Sequence, residues 1–161
     1  MINLDIDEKI FSIFDIKEKE IIEKYINNII KLIIKEENLT KKNIYLTIQM
    51  VNEEEIRKIN NEYRNIDKKT DVLSFPVFEK YELDQIREGN IKINEIELGD
   101  IFICMEVIKS QAIEYETGLK RELAYMITHG TLHLLGYDHI DLEDKKIMRE
   151  KEERILKNGE I

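Results

Sequence analysis

With 161 residues, 42% hydrophobic and 37% charged, the chain has the length and composition of one soluble globular domain with a buried core. A formal net charge of −9 disfavours indiscriminate nucleic-acid binding, which is driven by phosphate neutralisation, yet permits a local basic cleft on an acidic body. No apolar run approaches the roughly 20 residues of a membrane span, and the start MINLDIDEK lacks the basic and apolar regions of a secretory signal. The single Cys104 excludes an internal disulfide and points to a reducing, cytoplasmic location.

In chain order, the first strong signal runs from Lys17 to about Glu36. Ile21, Ile22, Tyr25, Ile26, Ile29, Ile30, Ile33 and Ile34 recur as one apolar stripe, which predicts an amphipathic helix. Ile44 to Val51 alternates as a strand does. Asn52 with Glu55 forms a capping-box pattern for a following helix, whose buried side would be Ile56, Ile59 and Tyr63. After a polar loop from Asn65 to Thr70, Val72 to Val77 predicts a strand that Pro76 ends or confines to an edge. Phe78 to Glu97 reads as charged and irregular, with a turn at Gly89-Asn90, and Leu98 to Met105 is the next strand. Two helices follow, near Glu106 to Glu116 and Leu119 to Leu135, the second ended by Gly136. Asp141 caps a last helix to about Lys157, with Ile147, Met148 and Ile155 inward. With no repeat or linker, residues 1–161 are expected to form a single α+β domain, a small mixed sheet packed with about five helices.

The chemistry concentrates in HGTLHLLGYDH, His129 to His139, which holds every histidine of the chain. Four residues along a helix turn through about 400°, so His129 and His133 share one face. Gly136 breaks the helix and lets the chain return to deliver His139. Three neutral imidazoles leave an open tetrahedral position, the catalytic kind of zinc site, so one divalent ion is expected on His129, His133 and His139. The spacing H-x-x-x-H-x-x-G-x-x-H is that of metzincin proteases, but Gly130 stands where those enzymes need a glutamate base, which makes peptidase a weak reading.

HGTLHLLGYDH resembles the signature of the YbeY family, bacterial metal-dependent endoribonucleases and rRNA maturation factors. INNEYRNIDKKTDVLSFP (Ile59 to Pro76) and LGDIFIC (Leu98 to Cys104) resemble two further blocks of that family, in the same order. The resemblance covers most of the chain from Asn52 to about Asp144 and is blank over Phe78 to Glu97. It implies a zincin-like α+β domain with Zn2+, or another divalent transition metal, on the three histidines. It also implies cleavage of single-stranded RNA in the 3′-end maturation of 16S rRNA and in ribosome quality control, with small-subunit ribosomal proteins and an assembly GTPase as partners. Within the YR-x-x-D block it assigns Arg64 a functional place beside the metal, so Arg64, His129 and His133 are the expected catalytic residues.

Each further candidate has a plainer reading. Arg64 taken alone fits a surface arginine at a helix C-terminus. Asp71 could orient a histidine, although fixing its own turn is the favoured role. Asp138 could accept a proton or form a turn, and Lys68 and Lys69 could touch phosphate or be merely solvated. Cys104 reads as a small buried residue and Met148 as an inner-face residue of the last helix. A non-enzymatic assembly factor with a structural metal is the rival reading.

Overall fold

The sheet follows from four short runs in which apolar and polar residues alternate. A computed structural model describes residues 1–160, and its strands β1 (Ile2–Ile6), β2 (Asn43–Met50), β3 (Val72–Pro76) and β4 (Glu95–Ile103) lie in the order β1-β2-β4-β3. β1, β2 and β4 run parallel, and β3 is antiparallel to β4 at the sheet edge. Pro76 ends that edge strand, where a missing amide proton costs no central ladder bond.

Six α-helices surround this sheet: α1 (Ile16–Glu36), α2 (Glu53–Arg64), α3 (Lys80–Arg87), α4 (Met105–Glu114), α5 (Leu119–Leu134) and α6 (Leu142–Gly159). α1 begins at a capping box in which Asp15 accepts from the Glu18 amide and Glu18 accepts from the Asp15 amide. Its stripe from Ile22 to Ile34 is buried against the sheet and helices α5 and α6, whereas Ile21 lies outside the contact at 55% exposure. On the opposite face, Ile56 of α2, Leu73 and Cys104 form a smaller cluster with Phe75 and Phe102. The architecture is the expected α+β class, with six helices where about five were read.

The differences have local causes. The run INLDI forms β1, a strand of five residues whose order comes from its pairing with β2. Phe78 to Glu97 is not irregular throughout, because it contains α3 and the start of β4. α3 offers only two buried residues, Leu83 and Ile86, too few to establish a period in the sequence. Tyr63 is 64% exposed because the last turn of α2 overhangs the edge strand, with its ring edge-on to Phe75 at 5.0 Å. Ile147 is also exposed, about 100° around α6 from the buried Met148.

Candidate metal centre

α5 carries His129 and His133 on successive turns and crosses the sheet closely at Gly130. A Cβ on Gly130 would lie 3.1 Å from both the Ile101 side chain and Ser74 Oγ. The residue after the first histidine thus faces the sheet, and its smallness serves packing. At the C-terminus, the Gly136 amide donates to the His133 carbonyl and the Tyr137 amide to the Leu132 carbonyl. Gly136 adopts φ +89°, and a Cβ there would come within 2.6 Å of Lys80 Cβ, so the turn needs glycine for conformation and for space. The reversal delivers His139, whose ring stacks on His129 with centroids 5.6 Å apart and meets His133 edge-on at 5.0 Å.

One nitrogen from each imidazole lies within 4.8 Å of the others. Hydrogen bonds fix which nitrogens these are. His133 Nδ1 is 2.8 Å from the Tyr137 carbonyl, which only accepts, so this nitrogen carries the proton. His129 Nδ1 is 2.6 Å from the Glu152 carboxylate, which is almost wholly buried. Both Nε2 lone pairs are then turned towards each other at 3.0 Å, an arrangement of two acceptors that a shared cation satisfies. Burial pushes the His133 imidazole down to about 4, and the neighbouring His129 adds to the shift, so His133 is neutral at ordinary pH and has a free lone pair to offer a metal. Burial, and then the Glu152 carboxylate, pushes the Tyr125 phenol beside His129 up to about 12. The donor set therefore fits a divalent transition metal.

A second set of contacts fixes the turn from behind. Tyr137 donates its hydroxyl proton to Glu37 Oε1 at 2.7 Å, and Lys151 Nζ reaches the same oxygen at 2.5 Å. Arg87 binds the other side of Glu37 through its carboxylate and its carbonyl. The ends of α1 and α3 and the middle of α6 thus converge on the residue whose carbonyl orients His133. Neither Glu37 nor Glu152 was identified from sequence. The available signal was an acidic residue on a buried stripe, since Glu152 falls one turn beyond Met148 and just before Ile155 on the inner face of α6.

The histidines open into a cleft of about 780 Å³ that Arg64 and Tyr63, at the end of α2, also line. The Arg64 side chain is exposed at the end of α2, where Asn65 takes a left-handed conformation and turns the chain away. Its neighbours Arg57 and Lys69 are tied to Asp67 and Glu53, whereas Arg64 has no carboxylate partner among the described residues. Lys68 and Lys69 lie outside this cleft, in a shallow depression with Glu53, Glu54 and Arg57. Asp71 borders the cleft, but its carboxylate accepts from the Val72 amide, Thr70 and Gln111. Asp138 accepts from the His139 amide, a turn contact. Cys104 and Met148 are buried, and burial pushes the Cys104 thiol up.

Comparison with known proteins agrees with this geometry. A family model described as Endoribonuclease YbeY matches residues 8–160. A Caldicellulosiruptor bescii protein named Endoribonuclease YbeY is 42% identical over 155 residues, covering 96% of this chain and 90% of its own length. One of the same name from Acetivibrio thermocellus is 48% identical over 116 residues, covering 70% and 72%. The solution structure of a Thermotoga maritima protein superposes with a TM-score of 0.60 at 25% identity, covering 99% of this chain and 89% of that one. By its sequence, this chain belongs to the endoribonuclease YbeY family.

Proposed function

We infer that this chain is a metal-dependent endoribonuclease that cleaves single-stranded RNA, and that residues 1–161 act as one catalytic domain. The observation that carries the reading is the convergence of two anchored imidazoles and His139 on one point of a cleft that an unpaired arginine also lines. We assign His129, His133 and His139 as ligands, and Zn2+ as the ion, from the all-imidazole donor set and the three-ligand open site. When bound, such an ion supplies Lewis-acid polarisation of a phosphoryl oxygen and acidifies water for attack.

The protein's own residues do the remaining work. Arg64 faces the position of the scissile phosphate and binds its non-bridging oxygens, matching charge that grows as the phosphorus gains a fifth oxygen. Glu152 holds the His129 proton at Nδ1 and so keeps its Nε2 lone pair aimed at the ion. Tyr137 does the same for His133 through its carbonyl. The acidic body, formally −9, leaves affinity to be set locally around the cleft.

By family membership, the substrate in the cell is the 3′ region of 16S rRNA, met in the cytoplasm during maturation and quality control of the small subunit. Small-subunit ribosomal proteins and an assembly GTPase are the corresponding partners. The test is a cleavage assay on single-stranded RNA with metal removed and restored, read with an Arg64→Ala control. Cleavage that disappears with the metal, returns with it and is strongly reduced in Arg64→Ala is the expected result. A metal-loaded protein that leaves RNA intact, as both Arg64→Ala and His133→Ala do, overturns the reading. Product ends distinguish the nucleophile: a 2′,3′-cyclic phosphate reports attack by the 2′-hydroxyl, and a 5′-phosphate reports attack by water.

A further inference from the structure

A second depression, of about 420 Å³, lies on the α6 side of the histidines and shares Tyr125, His129 and His139 with the main cleft. These three rings stack in sequence, with Tyr125 to His129 centroids at 6.0 Å and His129 to His139 at 5.6 Å. They form a ridge between two open troughs, one of which leads to Arg64. The other leads along α6 past Lys145, Lys146 and Arg149. Positions 145, 146 and 149 share one helical face. The only carboxylate lining this trough is Glu152, which is already bonded to His129.

The cations of α6 divide according to place. Away from the histidines, Lys151 is bound to Glu37 and Glu36, and Arg154 to Glu36. Beside them, Lys145 and Arg149 have no carboxylate within ion-pair distance among the described residues, and Lys146 has only a loose 3.9 Å contact with Glu150. An acidic protein thus keeps three exposed positive charges, two unpaired and one loosely paired, on the helix face that borders the histidines.

We propose that this face of α6 binds the sugar-phosphate backbone of the RNA on the side of the cleavage position opposite Arg64, so that the strand crosses the histidine ridge. The inference rests on the ribonuclease reading of the same site. Cations placed this way bind phosphates without regard to sequence, and each neutralised phosphate releases counterions. The consequence is a measurable salt dependence.

The test compares metal-loaded wild type with the Lys145→Gln/Lys146→Gln/Arg149→Gln variant. Two quantities are read across a KCl series: anisotropy of an end-labelled, 2′-O-methylated single strand, and kcat/KM on the unmodified RNA. The expected result is at least tenfold weaker binding at low salt, with a salt slope shallower by about 0.7 for each phosphate that the variant leaves unneutralised. Lys157→Gln, elsewhere on α6, leaves both unchanged. RNA shortened on one side of the cleavage position abolishes the difference between wild type and variant, and shortening on the other side preserves it. Equal slopes and equal kcat/KM in a wild type that does cleave RNA overturn this proposal and leave the metal-centre reading standing. A wild type that neither binds nor cleaves RNA overturns both.

Discussion

On the histidine wall of the cleft, orientation is imposed from elements distant in sequence; on the Arg64 wall, it is imposed locally. Glu152 reaches His129 across 23 positions, and Glu37 reaches Tyr137 across 100. The end of α2 relies instead on the left-handed Asn65 and the exposed Arg57–Asp67 pair, while a capping box of Asn52 and Glu55 fixes the helix start. The contrast matches the roles proposed for the two walls. A metal centre requires ligand atoms held within narrow limits before the ion arrives, and buried partners give that fixity. An arginine that meets a substrate phosphate needs a free fork and room to approach. One wall is therefore built for rigidity and the other for reach.

The largest effect should come from attacking the rigid wall at its centre. Glu37→Ala leaves Lys151 and Arg87 without their buried partner and should cost about 3 kcal/mol or more of stability in chemical denaturation, with a parallel loss of metal affinity. A change below about 0.5 kcal/mol would assign Glu37 to the indifferent surface class and break the comparison. On the other wall, Arg64→Ala should lower kcat/KM on RNA by roughly 100-fold or more, with melting temperature and metal affinity unchanged. An Arg64 variant that loses metal would show that the walls are not separable. The smallest expected effect is that of Glu152→Gln. This nearly isosteric change should weaken metal binding by roughly 10–100-fold in a chelator competition. It should also shift the His129 ring nitrogens towards a mixed tautomer in NMR, a change that packing loss alone does not produce.

The two walls were also unequally legible. His129, His133 and His139 lie close together in the chain, and a helical period with a glycine break is enough to bring their rings together. Arg64 stood out through its resemblance block, since nothing in its spacing separates it from a helix-end arginine. Glu152 and Glu37 escaped because a buried acid has no local pattern of its own; its meaning comes from a partner on another helix. β1 and α3 escaped for a related reason, being short elements held by β2 in one case and by the main core around Leu83 and Ile86 in the other. Tyr63 was misplaced because a helical stripe does not reveal where the sheet beneath it ends.

The central claim is that RNA cleavage depends on one ion held by the three histidines. Its most direct test is a titration of metal-free protein with Zn2+, in which bound metal and RNA cleavage are measured on the same samples. The account predicts that cleavage rises in proportion to bound metal and saturates at one ion per chain, while His133→Ala, folded by circular dichroism, neither retains the ion nor cleaves. Full cleavage by the metal-free protein, or by a folded His133→Ala variant, would contradict it.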